Sequence, residues 1–205
     1  MSFGDKKLSE IAVSVPGSTS LLRKYDLDFC CGGSDTLANA AAEKGLNLAE
    51  IETRLTELQN SKAENPEEYW VNATYPEIID HILVRYHQRH REQLQELIVL
   101  ADRVESVHGD RDDCPIGVAA ELRNIYDDLS NHMMKEEHVL FPMIKAGNYM
   151  MAQMPIRMME MEHAEHGEHL DVLKSLTNNM TPPADACNTW RALYSGIQEF
   201  ADDLM

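Results

Sequence analysis

Six side chains capable of metal chemistry stand where a helical core should be apolar. At steps of three and four the chain runs Leu83, His87, His90, Leu94, Leu97, Ala101 and Val104, and further on Val118, Leu122, Ile125, Leu129, His132, Glu136 and Val139. A third run is Ile156, Met159, His163, His166, Leu170 and Leu173. Each run is one face of a helix. An imidazole or carboxylate buried without a partner costs about 1 to 3 kcal/mol, so six of them would consume most of the roughly 5 to 15 kcal/mol by which a domain is stable. A metal held between the helices removes that cost. His132 and Glu136 lie one turn apart on a common face, as two ligands to one centre require. Imidazole with carboxylate suits iron, and a carboxylate such as Glu136 can bridge two irons.

The elements that must position these groups are four amphipathic helices. Thr74 and Glu77 are spaced as a capping box ahead of the first, Gly109 ends it, and Pro142 is expected to stop the second. The third follows the Gly147 turn. The fourth is expected to start at Thr181-Pro182-Pro183 and to bury Trp190, Leu193, Ile197, Phe200 and Leu204. Short loops make an up-down-up-down four-helix bundle over 74–205 the simplest architecture. His132 and Glu136 are near the end of the second helix, whereas His87 and His163 are a few turns into the first and third, which run the other way. The four therefore fall in one layer. A ferritin-like centre needs two Glu-x-x-His motifs in one layer, and only Glu160 to His163 lies at the level of these ligands, so that reading is weaker.

Ahead of the bundle, residues 1–60 form a small helical domain with helices around Leu8 to Val15, Leu37 to Leu46 and Leu48 to Leu58, the last opened by Asn47 and Glu50 as a capping box. Residues 61–73 lose the periodicity and are expected to be a linker. The fold class is all-α. Cys30 and Cys31, followed by Gly32-Gly33 and a helix start near Asp35 or Thr36, are candidate reactive thiols, because backbone amides and the helix dipole favour a thiolate there. With Cys114 and Cys187 they make neither a zinc pattern nor a disulfide framework, which points to reduced thiols and a cytoplasmic address. A net charge of −17 argues against nucleic acid and anionic membranes as partners, and no apolar run is long enough for a spanning helix. His81, His108, His138 and His169 are expected to be surface residues. The nine methionines between Met133 and Met161 are expected to be core filler rather than a copper site.

The strings Arg23-Lys24-Tyr25-Asp26 through Cys30-Cys31-Gly32-Gly33, Ile78-Ile79-Asp80-His81 through Arg85-Tyr86-His87, His132-Met133-Met134-Lys135-Glu136-Glu137 and Phe141-Pro142 resemble the iron-sulfur cluster repair di-iron proteins, the YtfE/ScdA/RIC group. The resemblance spans essentially the whole chain. It implies a hemerythrin-like bundle with His87, His132, Glu136 and His163 as ligands to non-haem iron, two irons in the complete family site. His90, His166, Glu162 and Asp203 are left as outer partners of the ligands or as alternative ligands. The implied function is repair of clusters damaged by nitrosative or oxidative stress, by iron donation to the damaged proteins. The alternatives are a hemerythrin-like binder or sensor of O2 or NO, and a nitric-oxide-reducing enzyme; the assembly considered is a homodimer. In the family pattern a second His-x-x-x-Glu pair comes after Leu204, which this chain lacks. The fourth helix is accordingly expected to be cut short, leaving an open-sided site for at most one iron, with Asp203 as a weak substitute.

Overall fold

The computed structural model describes residues 2–15, 17–29, 33–60, 70 and 72–204, with the side chains of Ser20, Asn60, Ala164 and Glu165 left aside. Cys30, Cys31 and most of the expected linker lie outside these residues. Among them there is no strand, only an isolated bridge between Lys7 and Thr36. No described helix is long and apolar enough to cross a membrane. The chain divides into two compact units, one ending at Thr74 and the other Tyr75–Leu204.

The first unit contains α1 (Leu8–Ser14), α2 (Ser18–Lys24), α3 (Leu37–Glu43) and α4 (Leu48–Asn60). Leu8, Ile11, Val15, Leu22, Leu37, Ile51 and Leu55 are its core. The helix α2 is not expected from the sequence, because Ser18-Thr19-Ser20 opens it and its two apolar residues, Leu21 and Leu22, are adjacent and show no helical period. Gly17, at φ 78°, starts it in a conformation that other residues resist. Thr36 caps α3 by accepting from the Asn39 amide at 3.3 Å. At α4 half of the expected capping box forms: the Glu50 amide donates to Asn47 Oδ1 at 3.4 Å, while the Glu50 side chain accepts from the Tyr25 hydroxyl at 2.8 Å.

The second unit is a bundle of four rods. The first rod is α5 (Tyr75–Ile82), a π-helical turn π1 (Leu83–Gln88) and α6 (Arg89–His108). The second is α7 (Val118–Lys135), a second π-turn π2 (Glu136–Leu140) and α8 (Phe141–Lys145). The third is α9 (Tyr149–Leu176) and the fourth α10 (Asn188–Leu204). The helix α6 packs against α7 and α10, and α9 against α7. The approach of α10 is close enough that a Cβ on Gly196 would stand 2.6 Å from Leu97 Cδ2.

Five expectations are overturned by the structure. Pro142 does not stop the second rod, which continues to Lys145. The π-turn just before it is wider than an α-turn and moves the carbonyl four residues back clear of the proline ring. The same extra residue shifts the seam: Val139 is exposed, and Leu140 and Phe141 are buried in its place. The fourth helix begins at Asn188, not at Thr181: Asn178, Asn179 and Met180 hold φ values of 49°, 52° and 52° after α9, and the prolines Pro182 and Pro183 each keep the residue before them out of the α region. Methionine is core filler at Met133 and Met159, and Met143 packs against the same cluster as Met159. Met150, Met154 and Met161 are 81%, 79% and 71% exposed, because helical phase allows Met159 but not these to share the inner face of Ala152, Leu170 and Leu173; Ile156 is turned outward as well.

Candidate metal centre

The two π-turns carry the site. A π-turn inserts one residue into a helix and re-aims the side chains around it, and such turns recur at functional sites. His87 comes from π1, Glu136 opens π2, His132 lies one turn earlier on α7, and His163 is midway along α9. Glu136 Oε2 stands 3.1 Å from His87 Nε2 and 3.5 Å from His132 Nε2, and His163 Nε2 is 3.0 Å from His132 Nε2. Among the described residues, His132, Glu136 and His163 form the group of ligand atoms that all lie within 4.8 Å of one another; His87 adjoins this group through the Glu136 carboxylate.

The outer nitrogens decide what the inner ones can do. Glu137 Oε1 accepts from His87 Nδ1 at 2.8 Å and also from Arg91 at 2.8 Å. Glu162 Oε2 accepts from His132 Nδ1 at 3.0 Å, and Lys135 donates to Glu162 Oε1 at 2.5 Å. In its neutral form, an imidazole held this way carries its proton on Nδ1 and turns an Nε2 lone pair toward Glu136, itself an acceptor. Acceptors converging at such distances repel unless a cation lies among them, so the donor set fits a metal ion. Burial pushes the carboxyls of Glu137 and Glu162 up, but hydrogen bonds from Arg91 and His87, and from Lys135 and His132, outweigh it and leave both below the usual range. Burial, with His132 alongside, pushes His163 down, which favours the neutral, ligating form. Phe141 stacks on His87 with ring centroids 5.6 Å apart, a contact that the seam shift at π2 makes available.

The remaining candidates are placed as follows. His166 sits edge-on to His132 at 4.9 Å between ring centres, outside the tight group, and burial pushes it down to about 4. His90 packs against Phe200 at 5.3 Å with its Nε2 unpartnered, away from the tight group. Both oxygens of Asp203 accept from Arg85 at 2.8 Å, so this carboxylate ties the fourth rod to the first and is not free to substitute as a ligand. His138 is exposed. Two of the expected surface histidines have specific partners instead: His169 lies between Glu121 at 2.6 Å and Asp128 at 3.0 Å, and His108 Nε2 is 3.3 Å from Cys187 Sγ. The sequence reading passed over Glu137, Arg91 and Lys135. The adjacent pair Glu136-Glu137 was the available signal, but regular helical phase sends the second carboxylate outward.

Comparison with known proteins bears on both units. Residues 4–59 match the family model described as ScdA_N, a domain of unknown function, and residues 78–205 match the hemerythrin HHE cation-binding domain. A protein of Haemophilus influenzae named "Probable iron-sulfur cluster repair protein" is 68% identical over 100% of this chain and 92% of its own length. Proteins named "Iron-sulfur cluster repair protein YtfE" from Musicola paradisiaca and Citrobacter koseri are each 54% identical over 100% of this chain, and over 91% and 92% of their own lengths.

Proposed function

We infer the function from the premise that this chain belongs to the iron-sulfur cluster repair protein family, with a hemerythrin-type cation-binding domain as its bundle. The protein repairs iron-sulfur clusters damaged by nitrosative or oxidative stress, and it does so by holding ferrous iron loosely and giving it to the damaged protein. His87, His132, Glu136 and His163 are the ligands. The observation that carries this reading is Glu136 Oε2 standing between the inner nitrogens of His87 and His132, each fixed from behind by a carboxylate.

The donor set supports donation over permanent storage. Ferrous iron is near the weak end of the divalent series for nitrogen and oxygen ligands, and the tight group contributes neutral imidazoles and one carboxylate rather than thiolates. An iron-sulfur acceptor offers thiolate and sulfide, which are softer and hold iron more firmly, so transfer runs downhill. Within the protein, Glu137 and Glu162 keep the two imidazoles oriented, Phe141 covers the His87 ring, and burial keeps His163 unprotonated. The net charge of −17 favours a metal cation as cargo.

The test is anaerobic. The protein, loaded with ferrous iron, is mixed with an apo-dehydratase whose activity needs a rebuilt cluster. Recovered activity with matching loss of iron from the donor is the expected result. A stable reversible adduct with O2 or NO and no transfer would assign the site to a carrier or sensor. Turnover of NO with an electron donor would assign it to a reductase.

A further inference from the structure

His87 is held at both ring nitrogens by consecutive residues. Glu136 faces Nε2 at 3.1 Å and Glu137 faces Nδ1 at 2.8 Å, which the widened turn Glu136–Leu140 allows. The outer carboxylate is itself anchored: Arg91 donates to the same Oε1 at 2.8 Å, one turn beyond His87 on the first rod. Arg91 and Glu137 also line an open cleft with Leu83, Val84, Gln88 and Glu92, and their side chains are 36% and 24% exposed. The chain of contacts therefore runs from the bundle interior to the surface in two hydrogen bonds.

We propose that Arg91 and Glu137 are positioning residues for His87 that set how fast iron leaves the site. This rests on the reading above that the site holds iron. Glu137 fixes the tautomer and the ring orientation of His87, and Arg91 fixes Glu137. Neither touches the position that a metal would take between the inner nitrogens and Glu136. A histidine whose outer nitrogen loses its carboxylate becomes a weaker ligand that is free to rotate, and outer partners of this kind typically contribute roughly 10- to 100-fold to metal affinity. The arrangement places control of release on a side chain that solvent, or an acceptor protein, can reach without opening the bundle.

Three variants test it: Arg91→Ala, Arg91→Lys and Glu137→Gln. Each is loaded anaerobically with ferrous iron and challenged with a coloured ferrous chelator, and each is separately loaded with cobalt(II) for its visible spectrum. Circular dichroism melting checks the fold. Arg91→Ala and Glu137→Gln should release iron roughly 10- to 100-fold faster than the unaltered protein, with a shifted cobalt spectrum and an unchanged melt. Arg91→Lys should restore release to within about threefold, because it keeps a cation beside Glu137. Release at the unaltered rate from both Arg91→Ala and Glu137→Gln overturns the proposal, as does release from Arg91→Lys as fast as from Arg91→Ala. Failure to bind iron at all would defeat the reading of the site and this inference with it. Firm, variant-sensitive binding with no transfer to an acceptor would defeat the repair reading alone.

Discussion

His90 shows how a single residue can satisfy the seam pattern and still stand outside the metal centre. It occupies a core position three residues after His87, yet its ring meets Phe200 and its Nε2 has no partner among the described residues. Burial pushes it down to about 4, whereas in an unfolded chain it titrates near 6.5. A depressed folded value means that its contribution is fully present above about pH 6.5 and declines as pH falls toward about 4. Unfolding in urea at pH 7 and pH 4.5 should therefore show the unaltered protein losing on the order of 2 to 3 kcal/mol more than His90→Leu. Equal losses would mean that His90 is solvated. The sequence brought His87, His132, Glu136 and His163 to one layer because burial periodicity and helix direction are local quantities. It could not separate His90 from His87, since both satisfy the same step, and it offered Glu137 only as the neighbour of Glu136, because the inward role of Glu137 depends on a turn that is not α-helical.

The two π-turns are the elements by which this bundle departs from a plain heptad. Regular phase predicts Val139 in the core and a stop at Pro142, and the structure instead buries Leu140 and Phe141 and runs on to Lys145. One inserted residue explains both. Deleting His138, which is exposed, should return Glu136–Leu140 to an α-turn, keep Leu140 in the seam and turn Glu137 away from His87. Helicity should survive while iron affinity falls by at least about tenfold, measured by competition with a chelator; unchanged affinity would show that the π-turn has no part in the site. The loop after α9 has its own strained element. Asn tolerates the left-handed region, but Met180 does not, and placing it there costs about 1 kcal/mol. Met180→Gly should raise the stability of the bundle by about that amount in a urea titration, and a loss would mean that the Met180 side chain contributes more than its backbone costs. Those positive φ values follow from how α9 must hand over to α10, which no short-range pattern in the sequence encodes.

At the scale of the molecule, the rods exist to bring three histidines and a carboxylate from three of them to one point. The fourth rod supplies Trp190, Ile197 and Phe200 to the core and is tied to the first by Arg85 with Asp203 and Arg89 with Glu199. Partly exposed pairs of this kind contribute at most about 1 kcal/mol each, so the packing of α10 holds the bundle closed and the pairs set its register. The all-helical class and the four-rod bundle were legible because amphipathic runs of three turns or more carry their own period, while α2, whose two leucines are adjacent, and the starting point of α10 were not. We propose His87, His132, Glu136 and His163 as the residues that hold iron. Elemental analysis after anaerobic ferrous loading and desalting tests this assignment most directly, with the unaltered chain compared against His132→Ala and Glu136→Ala, and circular dichroism confirming that all three are folded. Iron should be retained by the unaltered chain and lost from both variants. Iron retained equally by all three folded proteins would contradict it.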